Sequence, residues 1–192
     1  GGARIVVYRK DLFEKAGLEI PTTLQEFVEA GKALKADNAD VPNFSGIYFP
    51  GRNWQAMLSF IWDAGGDIAL DEDGEWVGEL ASTESVAGLT TVQDIMQNAN
   101  AAPADTDDAE DFLGISSQSE NQGLALEFLE VLTSETYQTE FAEIGLIPVR
   151  KSLLGQVQGD EAAQAQAQAA EVTRFVPSSE YWADVEGGNI LQ

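Results

Sequence analysis

Two helix-start signals follow one another closely near the beginning of the chain, and they constrain its fold more than any other feature. Asp11 is followed three residues later by Glu14, and Thr23 is followed three residues later by Glu26. This is the spacing of a capping box, in which the two side chains satisfy backbone N–H groups at a helix start. Gly17 lies where a first helix would end in a left-handed residue. The pattern predicts two consecutive capped helices.

Short β-type runs and amphipathic runs continue along the chain. Strands are predicted at 4–8, 46–49, 67–70, 75–77 and 113–116. A helix that begins at Ser82 or Thr83 is predicted, with Val86, Leu89, Val92 and Met96 facing inward. Further helices are predicted for Trp54–Ala64, from Ser119 with Gln122 as capping partner, from Ser134 to Gly145, over Gln156–Val172, and from Ser179 through Trp182. Strands alternate with helices in the first half and helices dominate the second, so an α/β fold is predicted.

Composition excludes several classes of function. The net charge is −23, from 33 acidic and 10 basic residues, so nucleic acid and anionic membrane surfaces are poor partners. The chain has no Cys and no His. Disulfides, Ser-His-Asp and Cys-His catalysis and the usual transition-metal sites are therefore excluded, and no metal or cofactor is expected.

Acidic motifs leave one enzymatic alternative open. An EF-hand loop with Gly74 at its sixth position would begin at Ala69 and end at Leu80, and neither of these residues is a carboxylate. Asp71–Gly74 is therefore interpreted as a turn. Paired carboxylates can hydrolyse glycosides, although nothing in the sequence isolates one pair. A carbohydrate-active hydrolase is kept as the alternative function.

Aromatic residues beside polar ones are the best candidates for a binding site. Tyr181 and Trp182 follow a Pro-containing loop and lie among serines and carboxylates, a composition that suits the apolar face and polar rim of a sugar ring. Arg52, Asn53 and Trp54 open a helix and form a second candidate group. Trp62 is the sixth candidate, mid-helix at core spacing but before a helix end at 63–66 that could face a cleft. Packing of Trp182 or Trp62 in the core is the alternative for both.

Several of these segments together resemble one known family. Residues 8–17 read Tyr-Arg-Lys-Asp-Leu-Phe-Glu-Lys-Ala-Gly and are followed by the Pro21–Phe27 run, in which Leu24 stands where the family usually has Trp. The resemblance recurs at Trp54–Gly66, Leu124–Leu132 and Gly145–Arg150. The chain thus resembles the extracellular solute-binding proteins of ABC importers, the maltose-binding-protein-like sugar receptors.

This resemblance implies a periplasmic-binding-protein-like (type II) lobe, helix-rich with a short mixed sheet. It implies a monomer that captures a carbohydrate between two lobes and delivers it to ABC permease subunits, without catalysis. Aromatic residues near the carboxy terminus would stack on the ligand. The expected location is extracytoplasmic, in the periplasm or as a cell-surface lipoprotein, with the targeting signal outside this chain.

The chain also departs from the family pattern. After Asp111-Phe112 the family usually continues with a Gly-x-x-Ala-Met segment and a Trp, several dozen residues that this sequence lacks, and the amino-terminal half of the first lobe is also missing. We therefore expect 1–112 to form the first part of an α/β lobe and 113–150 to follow a missing segment, in the lobe and hinge region. Residues 151–192 are expected to form a helical part packed on the lobe.

Overall fold

A computed structural model describes residues 5–103, 118–188 and 190–191. The chain divides into two compact units, each made of two stretches of sequence. The larger unit comprises Arg9–Glu110 and Val176–Gln192, and the smaller unit comprises Gly1–Tyr8 and Asp111–Phe175. The polypeptide therefore passes three times between the units.

Helices account for most of the described structure. The larger unit contains α1 (Lys10–Ala16), α2 (Leu24–Asp37), α3 (Trp54–Asp63), β1 (Ala69–Glu72), β2 (Glu75–Gly78), α4 (Thr83–Asn98) and α8 (Trp182–Gly187). The smaller unit contains α5 (Gln122–Leu132), α6 (Glu135–Glu143), a 3-10 helix (Lys151–Gln156) and α7 (Glu161–Glu171). In the parts of the chain that the structure describes, none of the helices is long and apolar enough to cross a membrane.

The predicted capping box of α1 is wrong. Arg9 occupies the N-cap position of α1, and Asp11 lies in the first turn. The guanidinium of Arg9 donates two hydrogen bonds to the Asp11 carboxylate, at 2.8 and 2.6 Å, so this carboxylate is used by a neighbouring cation rather than by the helix start. The predicted helix end is confirmed, because Gly17 is the C-cap with φ 65°.

The capping box of α2 is confirmed. Thr23 Oγ1 accepts a hydrogen bond from the Glu26 N–H at 3.2 Å, and Glu26 Oε2 accepts one from the Thr23 N–H at 3.2 Å. The helix behind it buries Val28 and Leu34 against the rest of the larger unit, as its apolar spacing predicts.

Close contact between α3 and α4 organises the larger unit. A Cβ at Gly88 would lie 2.5 Å from the Phe60 carbonyl oxygen, so only glycine allows this approach. The buried face of α4 consists of Ser85, Gly88, Val92 and Ile95. The predicted inward set is therefore partly wrong, since Val86 is 48% exposed. Gly88 allows the two helix backbones to approach closely, while Val92 and Ile95 pack in one buried cluster with Ala56 and Phe60 of α3.

Two predicted strands do not form. Residues 5–8 of the described chain are irregular, and so are residues 46–49. The second segment is nevertheless held in place, because the N–H groups of Gly46 and Ile47 both donate to the Ala99 carbonyl oxygen, at 2.8 and 3.2 Å. A loop and a helix end thus supply the partners that a neighbouring strand would have supplied.

A hairpin is the one sheet in the described residues. β1 and β2 pair antiparallel, with Ala69 opposite Gly78 and Glu72 opposite Glu75. Asp73 and Gly74 connect them with φ 57° and 92°, the left-handed pair that a two-residue hairpin turn requires. The expected mixed sheet is not seen in this part of the chain. The predicted strand at 113–116 lies outside the described residues.

Packing of α6 and α7 around the 3-10 helix forms the core of the smaller unit. Its buried apolar residues are Ala142, Ile147, Leu154, Val157, Ala167 and Ala170. Ser134 caps α6 as predicted, whereas the predicted cap at Ser119 is wrong because Asn121 occupies the N-cap position of α5. α7 begins after Asp160, whose carboxylate accepts from two backbone N–H groups, so the helix is shorter than predicted.

Candidate functional site

Two tryptophans from distant parts of the sequence meet in the larger unit. Trp54 is the first residue of α3 and Trp182 is the first residue of α8. Their ring centroids lie 5.8 Å apart with an interplanar angle of 65°, an edge-to-face arrangement that aromatic pairs favour. Asn53 fixes the start of α3, since its Oδ1 accepts from the Ala56 N–H at 3.0 Å. The pairing places α8 at the amino-terminal end of α3.

Trp54 is a core residue. Only 6% of its surface is exposed, and it belongs to a buried cluster with Leu58, Ile61 and Ile68. Asn53 beside it is 2% exposed and serves as the N-cap of α3. In this position Trp54 supports the ring of Trp182 from the interior.

The indole N–H of Trp182 is buried without a hydrogen-bond acceptor among the described residues. Trp182 is partly buried against the same cluster, and its Nε1 is buried without a hydrogen-bond partner in the described structure. A buried N–H group that lacks an acceptor costs about 1–3 kcal/mol. An acceptor oxygen that reached this buried atom would therefore gain a bond that the described residues do not provide.

Tyr181 supplies the open part of the site. It is 67% exposed and occupies the N-cap position of α8, directly before Trp182. Ser179 orients this turn, because its Oγ accepts from the Tyr181 N–H at 3.2 Å, although α8 itself begins later than predicted from Ser179. The exposed phenol ring of Tyr181 thus adjoins the indole of Trp182, whose Nε1–H donates no hydrogen bond to the described residues.

The two remaining candidates lie nearby in sequence but differ in environment. Trp62 packs against the same cluster, and its Nε1 donates to Asp67 Oδ1 at 3.2 Å. Arg52 is exposed in the loop before α3. The fold therefore brings Trp54, Trp62 and Trp182 into one cluster, while ligand contact by each of the six candidate side chains stays a prediction.

A groove between α2, α3 and α4 was not predicted from the sequence. It encloses about 360 Å³, with Val28 and Phe60 among its apolar lining residues. Lys32 on α2 forms an ion pair with Asp94 on α4 at its edge. The Lys32 ammonium group, together with the Asn98 amide, holds the pKa of Asp94 below its usual range. No local signal links two residues on separate helices, so only the tertiary structure reveals this groove.

The carboxylate of Asp71 has a structural role. Asp71 Oδ1 accepts from the Gly74 N–H at 2.6 Å and stabilises the hairpin turn. Within the described ranges, no group of three or more Asp or Glu side chains is placed to hold a metal ion. The carboxyl pKa values that depart clearly from their ordinary range, those of Asp11, Glu26 and Asp94, are all lowered. A general acid of a glycosidase needs the opposite shift.

Comparison with known proteins relates the chain to a protein family and to a curated relative. Residues 1–112 match the family model described as "Bacterial extracellular solute-binding protein". The chain is also 26% identical over 241 aligned positions to the diacetylchitobiose binding protein DasA of Streptomyces coelicolor. This alignment covers 95% of the chain and 56% of the relative, so the chain spans little more than half the relative's length. No solved structure matches the chain significantly.

Proposed function

Because the chain belongs to the family of bacterial extracellular solute-binding proteins, we propose that it is the carbohydrate-binding component of an ABC transporter. The family match, which extends over more than half of the chain, carries this proposal. Such a receptor makes and breaks no covalent bond. It works by binding ligand more tightly in a closed state than in an open one.

The proposed ligand is a β-linked amino sugar of the type named for the Streptomyces relative, diacetylchitobiose. Two side chains at the start of α8 suit this class of ligand. The exposed ring of Tyr181 offers an apolar plane for the face of a pyranose ring. Trp182 Nε1 is buried and has no partner among the described residues, so a local opening of the turn before α8 would make it a donor for a hydroxyl or an acetamido carbonyl oxygen.

The proposed architecture is a type II periplasmic-binding-protein-like lobe with part of a hinge. Two observations support it. Each compact unit is assembled from two separate stretches, so three chain segments connect the units, as a hinge between lobes would require. The alignment of 241 positions is longer than the 192-residue chain, so the relative has several dozen residues without a counterpart here. We place this missing segment between Phe112 and Leu113.

The proposed location is extracytoplasmic, in the periplasm or at the cell surface as a lipoprotein. The proposed partners are the permease subunits of the transporter, to which a monomeric receptor delivers the sugar. A strongly acidic protein has no electrostatic attraction to nucleic acid, which is not a proposed partner.

Isothermal titration calorimetry with diacetylchitobiose tests the proposal, with maltose as the comparison sugar. We expect saturable binding of diacetylchitobiose and recovery of the intact disaccharide afterwards. Release of monosaccharide during the titration would identify the hydrolase alternative instead. Absence of heat for both sugars, in the chain and in a version that carries the missing segment, would overturn the proposed function.

A further inference from the structure

The turn of the β1–β2 hairpin contains a chemically labile pair of residues. Asp73 and Gly74 form the only Asp-Gly pair in the 192-residue sequence, which contains no Asn-Gly pair. Both residues are exposed at the tip of the hairpin, and a Cβ added to Gly74 would meet nothing within 4 Å. Glycine has no side chain to shield its backbone nitrogen. An aspartate before glycine is therefore the arrangement in which this nitrogen most readily attacks the side-chain carboxyl group.

The reaction open to this pair is succinimide formation followed by hydrolysis. The Gly74 backbone nitrogen bonds to Asp73 Cγ, and the amide proton leaves with the hydroxyl group of the protonated carboxyl as water. Water then opens the cyclic imide. Cleavage at the former side-chain carbonyl restores aspartate, whereas cleavage at the main-chain carbonyl gives isoaspartate, whose backbone continues through Cβ and Cγ of residue 73. The net change is an isomerisation, so the reaction needs no reactant besides water.

The folded turn keeps the two reacting atoms apart. Asp73 has φ 57° and therefore lies in the left-handed region. This conformation brings the Cβ of a residue close to its own carbonyl oxygen. The Gly74 nitrogen is bonded to the same carbonyl carbon on the side opposite that oxygen, so it faces away from Asp73 Cβ and from the carboxyl group beyond it. Ring closure therefore requires rotation about the Asp73 Cα–C bond, which the formed hairpin turn prevents.

Asp71 holds the attacking nitrogen in this protected position. Its Oδ1 accepts from the Gly74 N–H at 2.6 Å, and hydrogen bonds to an ionised acceptor are shorter and stronger than those between neutral groups. We propose that the pair Asp73 and Gly74 is a site of isoaspartate formation and that Asp71 restrains the reaction by fixing the turn. No sugar takes part, so this inference does not depend on the proposed function.

Isoaspartate at residue 73 would disrupt the hairpin. The modification inserts a methylene group into the main chain of a turn that now consists of two residues, both with positive φ. The observed register pairs Asp71 with Trp76 and Glu72 with Glu75 directly beside this turn. A lengthened turn no longer matches that register, so loss of strand pairing should begin at the tip of the hairpin.

Incubation of the folded chain in mildly acidic buffer tests the proposal. Protein isoaspartyl methyltransferase labels isoaspartate, and peptide mapping locates the label. We expect slow labelling at residue 73 in the parent and labelling about three to ten times faster in Asp71→Ala, the factor that corresponds to loss of one hydrogen bond. In concentrated urea the parent and the variant should react at the same, higher rate, because neither then has a turn. Circular dichroism in buffer checks that both proteins are folded.

Two further variants separate the hydrogen bond from the charge and identify the reacting residue. Asp71→Asn keeps an oxygen acceptor without the charge and should stay near the parent rate. Asp73→Glu should abolish labelling of this peptide, because the longer side chain does not close the same ring. A rate in Asp71→Ala that is equal to or below that of the parent would overturn the restraint, as would an equally fast Asp71→Asn. Absence of label at residue 73 in the unfolded parent would overturn the site itself.

Discussion

The side-chain amide of Asn100 pairs with both backbone groups of Phe49, although the two residues are 51 positions apart. Asn100 Oδ1 accepts from the Phe49 N–H at 3.3 Å, and its Nδ2 donates to the Phe49 carbonyl oxygen at 3.0 Å. The same Oδ1 accepts from the Ala102 N–H at 3.0 Å. Asn100 is 4% exposed, so these groups have little access to water. One side chain thus joins the segment before α3 to the end of α4.

Replacement of Asn100 by Ala should lower the free energy of unfolding by about 2–4 kcal/mol. The substitution leaves buried backbone groups of Phe49 without partners, and such groups cost about 1–3 kcal/mol each. Urea denaturation followed by circular dichroism measures the change. Asn98→Ala is the matched control, because Asn98 is exposed and bonds only Asp94 among the described contacts. Equal losses in the two variants would show that Asn100 has no special role.

Gly88→Ala should destabilise the larger unit by about 3 kcal/mol. The added Cβ would lie 2.5 Å from the Phe60 carbonyl oxygen and 2.6 Å from the Ile61 Cα, and backbone atoms cannot move aside without separating α3 from α4. Gly123→Ala is the control, since a Cβ there meets nothing within 4 Å. This helical glycine should gain about 0.5–1 kcal/mol as alanine. Thermal unfolding of both variants should therefore move in opposite directions.

Local chemistry explains which parts of the fold were predictable from the sequence. Thr23 and Ser134 each cap a helix as predicted, and Ser82 is the N-cap of α4 where Ser82 or Thr83 was expected. These predictions succeed because an N-cap bond joins residues three apart and needs no tertiary partner. The predicted N-cap at Asp11 was wrong for an equally local reason, because the Asp11 carboxylate pairs with the guanidinium of Arg9. The hairpin was predicted because the Asp73-Gly74 turn is also encoded locally.

Tertiary contacts explain the failures. The 46–49 segment has the composition of a strand, but its hydrogen-bond partners are Ala99 and the Asn100 side chain. These partners are distant in sequence, so the local pattern could not predict them. The inward face of α4 was rotated from the expected one because Gly88 allows close approach to α3. Likewise, the sequence identified Trp54 and Trp182 as candidates separately. It contained no signal that the two rings touch or that Trp182 Nε1 lacks an acceptor.

Glu26→Gln should make the free energy of unfolding less dependent on pH in the acid range. Hydrogen bonds from Thr22 and Thr23 lower the pKa of the Glu26 carboxyl in the folded chain. Because the folded pKa lies below the unfolded one, the carboxylate stabilises the fold above its ordinary pKa of about 4.3, and this contribution is lost as the pH falls through the lowered value. Urea midpoints from about pH 7 to about pH 3 should fall more steeply in the parent than in the variant. Glu14→Gln, which removes one charge from α1, is the control, and identical slopes in parent and Glu26→Gln would contradict the assignment.

The same substitution at two tryptophans should have different costs. Trp62→Phe removes the Nε1–H that bonds Asp67 Oδ1, whereas Trp182→Phe removes an N–H that has no acceptor among the described residues. Loss of packing volume is similar in both, so Trp62→Phe should be less stable than Trp182→Phe by about 1–2 kcal/mol. Chemical denaturation of the two variants provides the comparison. A greater loss for Trp182→Phe would mean that Trp182 Nε1 has a partner in solution.

Tyr181→Ala should weaken sugar binding without weakening the fold. Tyr181 is 67% exposed, so its removal costs little packing, but it takes away the plane on which we propose that the pyranose ring lies. We expect a loss of about 1–2 kcal/mol in binding free energy, a factor of roughly five to thirty in Kd. Tyr48→Ala is the matched control, because Tyr48 is a 61% exposed tyrosine in the same unit but, unlike Tyr181, does not adjoin Trp182 in the sequence. Calorimetric titration of both variants with diacetylchitobiose decides the matter: an unchanged Kd for Tyr181→Ala, or an equal loss for Tyr48→Ala, would remove Tyr181 from the binding site.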